Sequence, residues 1–166
     1  MSLAEDLAFV VDLVRSAAPV ALGHYGRAER LTKTHAAARD EAVTLADRAV
    51  QAHLVAGLRK RFPGDGVIGE EDESGAGITV DCPDPLGRNW VIDPIDGTNN
   101  FVAGLGHWAT CVGLLERGEP VLGVVYEPLT DAMYAAARGH GATLNGRAIA
   151  APGSALSAAS IVMLTS

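Results

Sequence analysis

The sequence predicts an α+β domain in which two long helices cover one face of a mainly antiparallel sheet. Before residue 62, apolar residues recur every three or four positions in two segments. After about residue 65 the apolar period changes to two, and Gly-rich turns separate the short runs that follow. With 166 residues, 48% of them apolar and 20% charged, the chain is long enough to bury an independent core.

Both helices are predicted from the spacing of their apolar residues. The apolar positions are Leu3, Leu7, Val10, Val14 and Ala18 in the first helix, and Val50, Leu54 and Leu58 in the second. We expect the first helix to continue to about Tyr25. The second should end near 62–64, where Phe-Pro-Gly interrupts it. Thr44 and Asp47 have the spacing of a capping box at the start of the second helix.

The rest of the chain reads as short strands joined by tight turns. Strands are predicted at 66–69, 87–93, 108–116, 120–126 and 132–138, with Gly-rich turns at 117–119 and 139–141. A last short strand should include Thr143 or residues 148–150, on one side of the Asn145-Gly146 turn. This order of elements predicts hairpin-connected strands.

The Ala-Pro-Gly-Ser segment at 151–154 has the composition of a loop, and it is the best candidate for a domain boundary. We therefore expect a single domain at 1–150. Residues 151–166 would be the start of a second, carboxyl-terminal domain that is absent from this chain.

Charge and cysteine content exclude several classes of protein. A net charge of −7 argues against binding to a nucleic-acid polymer or an anionic membrane. Glu5 and Asp6 stand where a signal peptide would be basic, and uncharged apolar runs such as 108–115 are too short to span a bilayer. These features favour a cytoplasmic location. We interpret Cys82, in a loop, and Cys111, in a strand, as reduced structural cysteines.

The segment at 90–101, Trp-Val-Ile-Asp-Pro-Ile-Asp-Gly-Thr-Asn-Asn-Phe, combines an apolar strand with two carboxylates. Two carboxylates three residues apart, Asp93 and Asp96, can bind a pair of hard divalent cations roughly 3.5 to 4 Å apart. Gly97 and Thr98 offer backbone N–H groups at the start of a possible helix, where an anion is favoured. The alternative is that Asp-Pro and Asp-Gly are ordinary turn dipeptides.

A second acidic cluster, Gly-Glu-Glu-Asp-Glu at 69–73, follows the short apolar run Val67-Ile68. Taken alone, such a charge run is usually a solvated face. Because both acidic clusters follow predicted strand ends, however, they could together supply oxygen ligands for two or three Mg²⁺ ions. Bound cations would also reconcile an acidic protein with a phosphate ester substrate.

Four motifs, in this order, resemble those of the inositol monophosphatase family, which comprises Mg²⁺-dependent, lithium-sensitive phosphatases. They are Asp-Glu-Ala-Val-Thr-Leu-Ala-Asp at 40–47, Gly-Glu-Glu at 69–71, Asp-Pro-Ile-Asp-Gly-Thr at 93–98 and Gly-Glu-Pro-Val-Leu-Gly-Val-Val-Tyr-Glu-Pro at 118–128. The resemblance implies the amino-terminal half of a layered α/β/α/β/α sugar-phosphatase fold.

The resemblance also implies a set of metal ligands. One Mg²⁺ would be held by Glu70, Asp93 and the backbone carbonyl of Ile95, and it would activate a water molecule near neutral pH. A second Mg²⁺, held by Asp93 and Asp96, would stabilise charge on the leaving oxygen. Glu71 would support these ligands or a weaker third ion. Mn²⁺ is a possible substitute for Mg²⁺.

The same resemblance assigns roles in water activation and substrate binding. Asp47 would orient Thr98, and together with Glu70 these residues would form the catalytic group that positions and deprotonates the attacking water. Asp96, Gly97 and Thr98 would bind the substrate.

One element of the family pattern has no counterpart in this chain. Family members carry in their second half a Trp-Asp element that completes the second metal site, whereas neither Trp90 nor Trp108 precedes an Asp. Asp131 lies in a predicted hairpin turn, and we interpret it as a turn residue. The apolar residues at 161–164 would then need a partner, so a homodimer is expected.

Two kinds of function remain open at this point. The first is a Mg²⁺-dependent phosphomonoesterase that hydrolyses inositol monophosphate or a related small phosphate ester. The related substrates are histidinol phosphate, fructose bisphosphate and 3′-phosphoadenosine nucleotides. The second is an incomplete domain that binds cations and phosphate with little turnover.

Overall fold

The computed structural model describes residues 2–26, 30–31, 43–71 and 79–150. Its helices are α1 Leu3–His24, α2 Leu45–Arg61 and α3 Thr98–Ala103. Its strands are β1 Arg30–Leu31, β2 Val43–Thr44, β3 Gly66–Gly69, β4 Thr79–Asp81, β5 Arg88–Asp96, β6 Ala109–Glu116, β7 Glu119–Glu127, β8 Ala132–Ala137, β9 Gly141–Leu144 and β10 Arg147–Ile149. The expected second domain at 151–166 lies outside the described residues.

Both long helices form where their apolar spacing predicts them. Helix α1 begins with a capping box between Ser2 and Glu5 and ends at His24, one residue before the predicted end. Helix α2 ends at Arg61, just before the Phe-Pro-Gly segment. The two helices pack against each other and lie on the same sheet, α1 on β6, β7 and β8 and α2 on β5. The predicted two-helix layer is therefore confirmed.

Helix α1 is long and apolar enough to cross a membrane when only length and composition are considered. The expectation that no segment spans a membrane rests only on the length of uncharged apolar runs. Helix α1 contains charged residues, so that criterion does not select it. In the structure, however, α1 is a core helix, because Val10, Val14 and Ala21 are completely buried. Asp6, in its first turn, is also completely buried and forms a salt bridge with Arg88.

Eight strands form one sheet in the order β10-β9-β8-β7-β6-β5-β3-β4. The pair β3–β5 is parallel, whereas the other neighbouring pairs described in this sheet are antiparallel. The prediction of a mainly antiparallel sheet is confirmed, although β4 was not expected. The parallel pair decides the position of the acidic motifs, because the carboxyl ends of two parallel strands lie at the same sheet edge.

Strand β5 is longer than its sequence pattern indicates. We expected it to end at Asp93, but it continues to Asp96, where it still pairs with Ala109 of β6. The β5–β6 register shifts between Asp93 and Asp96, which marks a bulge. A bulge lets a strand absorb residues without ending the ladder, so the segment that looked like a turn is part of the sheet.

The hairpins at the far end of the sheet confirm their predicted turns. Strands β9 and β10 flank Asn145 and Gly146, which have φ values of 51° and 76°. Both proposed sites of the last strand, Thr143 and 148–150, lie in or beside these two strands. Asp131, with φ of 49°, accepts a hydrogen bond from the Tyr126 hydroxyl at 2.9 Å in the turn before β8. It is therefore a turn residue, as predicted.

Candidate metal and phosphate site

The backbone of β3 and β5 brings the two acidic motifs together. Gly69 pairs with Ile92 in the parallel register, and the Glu70 N–H donates to the Ile92 carbonyl at 3.1 Å. Glu70 and Asp93 are the next residues along their strands. The parallel pairing thus places these carboxylates side by side. The sequence motifs alone do not show this proximity.

Asp93 lies in a crowd of acidic side chains. The pKa of Asp93 is raised to about 8, first by burial and then by the charge of Glu70 and a side-chain hydrogen bond with Glu70. The charges of Asp96 and then Asp47 act in the same direction. Asp47 itself is almost completely buried, with 1% of its surface exposed. Four predicted site residues are therefore electrostatic neighbours.

Among the described side chains, nothing basic offsets this negative charge by a direct contact. Lys, Arg and His residues of that part of the chain form no salt bridge with Glu70, Asp93 or Asp96. One carboxylate oxygen, Asp93 Oδ1, is buried without a hydrogen-bond partner there. A buried anionic oxygen that lacks a partner is costly, so these residues fit a hard divalent cation.

The carboxylates are neighbours without forming a preformed cation cage. No group of three or more His, Cys, Asp or Glu side chains in the described ranges has the arrangement of a metal site. The two observations are compatible, because charges interact over longer distances than coordination bonds. Asp72 and Glu73 of the second acidic cluster lie outside the described residues.

Two threonine hydroxyls hold the bulge that connects the two aspartates. Thr110 Oγ1, on β6, donates to the Pro94 carbonyl at 2.9 Å, and Thr98 Oγ1 donates to the Ile95 carbonyl at 3.0 Å. A carbonyl oxygen has two lone pairs, so the Ile95 carbonyl can still accept a second partner. Orientation of Thr98 by Asp47 stays a prediction, because the Thr98 bond described here goes to Ile95.

Gly97 occupies a position that only glycine suits. Its φ is 87°, and an added Cβ would lie 2.8 Å from the carbonyl oxygen of His107. Helix α3 begins at the next residue, Thr98, as the sequence predicts, and is six residues long. The first N–H groups of a helix lack partners within it, so they can face an anion. Phosphate binding here stays a prediction.

Three residues that sequence reasoning missed also border the site. Gln51, one turn after Asp47 on α2, contacts the backbone of Glu71: the Glu71 N–H donates to Gln51 Oε1 at 3.0 Å, and Gln51 Nε2 donates to the Glu71 carbonyl. Thr110 holds the bulge. Cys111 pairs with Asp93 across β5 and β6. The only feature of the sequence that could have indicated Gln51 as a site residue is its four-residue spacing from Asp47. The alternation of residues along β6 does not indicate a role for Thr110.

Cys111 is a free thiol in a strand, as predicted, and Cys82 is free in the segment between β4 and β5. The pKa of the Cys111 thiol is raised to about 12, first by burial and then by the charges of Asp93, Asp96 and Glu70. The thiol therefore stays protonated near neutral pH, which fits a structural cysteine.

Comparison with known proteins agrees with this geometry. The model of the inositol monophosphatase family matches residues 2–166. The histidinol-phosphatase of Mycobacterium tuberculosis is 42% identical over an alignment that covers 74% of this chain and 48% of the relative. The chain therefore belongs to the inositol monophosphatase family, and the relation indicated by its motifs is confirmed.

Solved structures support the same fold. The IMPase of Thermotoga maritima has a TM-score of 0.76 and 34% identity over 87% of this chain and 53% of its own. An IMPase/NADP phosphatase solved with NADP and Ca²⁺ has a TM-score of 0.78 and 27% identity over 93% of this chain and 56% of its own. The predicted fold class is thus confirmed. The chain spans about half the length of the relatives it matches.

Proposed function

We propose that this protein is a Mg²⁺-dependent phosphomonoesterase that hydrolyses a small phosphate ester. The observation that carries the proposal is the buried Asp93 carboxyl, which lies among other acidic groups and has one oxygen without a hydrogen-bond partner in the described part of the chain. Such a cluster is unfavourable in a folded protein unless a proton or a cation neutralises it. Membership of the inositol monophosphatase family, in which phosphatases are metal-dependent, supports the same chemistry.

The ligands proposed for the first Mg²⁺ are Glu70, Asp93 and the Ile95 carbonyl. Asp93 and Asp96 would hold a second ion, and a third would be weaker. When bound, such ions supply water activation and charge stabilisation in phosphoryl transfer. Mn²⁺ should substitute, because it accepts the same oxygen ligands.

The chain's own residues would position the reacting groups. Thr98 and Asp47, with Glu70, would hold the attacking water and accept its proton. The N–H groups of Gly97 and Thr98 would bind phosphate oxygens, and Asp96 would lie beside the ester. The Thr98 hydroxyl bond to Ile95 supports this arrangement, because it fixes Thr98 against the proposed carbonyl ligand.

A phosphate-release screen would test the proposal. The substrates are inositol monophosphate, histidinol phosphate, fructose bisphosphate and a 3′-phosphoadenosine nucleotide, each with Mg²⁺, with Mg²⁺ plus Li⁺ and with a chelator. We expect Mg²⁺-dependent, lithium-inhibited release from at least one of them. Histidinol phosphate is a specific candidate, because a 42% identical relative is a histidinol-phosphatase. Release that is unaffected by the chelator would overturn the metal mechanism.

The alternative is a domain that binds cations and phosphate with little turnover. It is favoured by the finding that the described acidic side chains do not form a preformed cation cage. Calorimetry would separate the two functions, because the alternative predicts Mg²⁺ and phosphate binding without phosphate release.

Cation stoichiometry is a further part of the proposal. The site with Glu70, Asp93 and the Ile95 carbonyl has more protein ligands than the site with Asp93 and Asp96, so it should fill first. A Mg²⁺ titration should show one clear site, and a second only at much higher concentration or with phosphate. Two equally tight sites without phosphate would mean that another ligand completes the second site.

The assembly and location proposed for the protein are a cytoplasmic homodimer without nucleic-acid or membrane partners. Exposed apolar side chains on β7 and β8, Val125 and Tyr134, each 38% exposed, support association. Light scattering at micromolar concentration should give a dimer mass, and a monomer at every concentration would contradict it.

A further inference from the structure

Gln51 connects helix α2 to the acidic segment that follows β3. Its side-chain amide uses both of its hydrogen-bonding ends on one residue, accepting from the Glu71 N–H at 3.0 Å and donating to the Glu71 carbonyl. Both residues are buried, with 8% of Gln51 and 4% of Glu71 exposed. Because an amide can donate and accept at once, the Gln51 side chain satisfies both the backbone N–H and the backbone carbonyl of Glu71.

The contact extends to the residue on the other side of Glu70. A Cβ added to Gly69 would lie 2.6 Å from Gln51 Cδ, so the amide packs directly against the Gly69 backbone. The Gln51 side chain therefore contacts the backbone on both sides of Glu70, at Gly69 and at Glu71. Glu70, between them, is also held from the opposite side by its N–H bond to Ile92 of β5.

Helix geometry links this contact to Asp47. Residues four apart lie on the same face of a helix, so Asp47 and Gln51 both point from α2 toward the acidic motifs. Asp47 contributes charge near Asp93, while Gln51 fixes the backbone that carries Glu70. One helix face thus supplies both a predicted catalytic group and a support for a predicted metal ligand.

We infer that Gln51 is a positioning residue, which sets the approach of the Glu70 carboxylate to Asp93 and thereby the cation affinity of the site. The inference rests on the proposed function. It goes beyond it because Gln51 touches neither substrate nor cation and acts through the Glu70–Glu71 backbone. Groups that orient metal ligands typically change metal affinity about 10- to 100-fold when they are removed.

The test compares two substitutions to methionine on the same helix. Gln51→Met keeps the size of the side chain and removes both bonds to Glu71. His53→Met is the matched control, because it removes the 2.8 Å bond between His53 Nε2 and Ser16 Oγ, which joins α2 to α1 away from the site. Both variants should lose thermal stability, which makes stability a poor indicator of a positioning role.

Two measurements do distinguish positioning from a structural role. In metal-free protein, amide hydrogen exchange at Glu71 should accelerate in Gln51→Met and stay unchanged in His53→Met. Calorimetric titration with Mn²⁺ should give about tenfold or more weaker binding for Gln51→Met, and binding within about twofold of the parent for His53→Met.

Each remaining outcome has a separate meaning. If Gln51→Met binds Mn²⁺ as tightly as the parent protein, Gln51 is only structural and the inference is wrong. If both variants lose affinity in proportion to stability, the inference is also wrong. If the parent protein binds no divalent cation at all, the proposed function fails first, and the positioning role fails with it.

Discussion

Carboxylates cluster at both ends of strand β5, but their surroundings differ. At its start, the guanidinium of Arg88 contacts three carboxylates: Asp6 at 2.8 Å, Asp65 at 3.0 Å and Glu116 at 2.8 Å. At its other end, Asp93 lies among Glu70, Asp96 and Asp47. Each end also has one buried oxygen without a hydrogen-bond partner in the described part of the chain, Asp6 Oδ1 and Asp93 Oδ1.

Among the described residues, the two ends differ in that Arg88 forms salt bridges at the start of β5, whereas Asp93 forms none at its end. Burial alone would lower the pKa of Arg88, but hydrogen bonds to Asp65 and Asp6 leave it above its ordinary value. Asp93, by contrast, has a raised pKa because it is buried and because its acidic neighbours repel its charge. The carboxylates at the start of β5 therefore have a cationic partner within the fold, and this end acts as structure. The end of β5 favours a proton or a metal ion from solution, and this is where we propose the chemistry.

The largest expected effect comes from removing the charge at the end of β5. Asp93→Asn should lower Mg²⁺-dependent phosphate release at least about a hundredfold, because it removes the carboxylate proposed to bind both ions. Steady-state phosphate release measures it. Asp131→Asn is the control, since Asp131 is a turn residue, and it should keep full activity. Activity of Asp93→Asn within threefold of the parent protein would contradict the metal assignment.

Removing the cation at the start of β5 should affect stability. Arg88→Met leaves the buried carboxylate of Asp6 without its salt bridge, and breaking a buried pair costs about 3 to 5 kcal/mol. Because Arg88 is partly exposed, we expect the lower end of this range for the free energy of unfolding in urea. Mg²⁺ should not restore the loss. A variant as stable as the parent would show that Arg88 is not the cation on which the structure depends.

The pKa of Asp93 predicts an unusual dependence of stability on pH. Because its folded pKa of about 8 exceeds the ordinary value of 3.8, the folded state binds the proton more tightly than the unfolded state. The stability that proton binding to Asp93 contributes to the folded state is therefore fully present below pH 3.8 and is lost as the pH rises to about 8. Urea unfolding of metal-free protein should show this loss relative to Asp93→Asn.

Addition of Mg²⁺ sharpens the same experiment. A cation must displace the proton, so its apparent affinity should rise with pH up to about 8. If the parent and Asp93→Asn have parallel stability profiles between pH 4 and 8, Asp93 does not carry the raised pKa.

The smallest expected effect concerns the bulge between the two aspartates. Thr110→Val removes the hydroxyl bond to the Pro94 carbonyl while keeping the side-chain shape, at a cost of about 1 kcal/mol in the free energy of unfolding. We also expect a loss of activity of a few fold, because the bulge places Asp96. Thr143→Val, which removes a 3.4 Å bond in the β8–β9 hairpin, should lower stability slightly and leave activity unchanged.

Local patterns in the sequence were reliable where structure depends on neighbouring residues. Apolar spacing located α1 and α2, and the Asn145-Gly146 dipeptide located the last hairpin. Strand β5 was misjudged at its end, because Asp-Pro and Asp-Gly are typical of turns and the bulge depends on a bond from Thr110, 16 positions away from Pro94. A one-dimensional pattern contains no information on that partner.

The sequence by itself determined the kinds of elements and the chemical character of the site. Helical and alternating periods depend on residues within one or two turns, and the carboxylates of the motifs containing Glu70 and Asp93 are the type of ligand that hard cations prefer. Only the tertiary structure decided that β3 and β5 run parallel, that Gln51 holds Glu71 and that Arg88 pairs with carboxylates at one end of β5. Asp93, at the other end, has no such salt bridge among the described residues. These contacts join residues about 20 to 80 positions apart, and their formation depends on how whole elements pack, since burial and charge balance are properties of the assembled core.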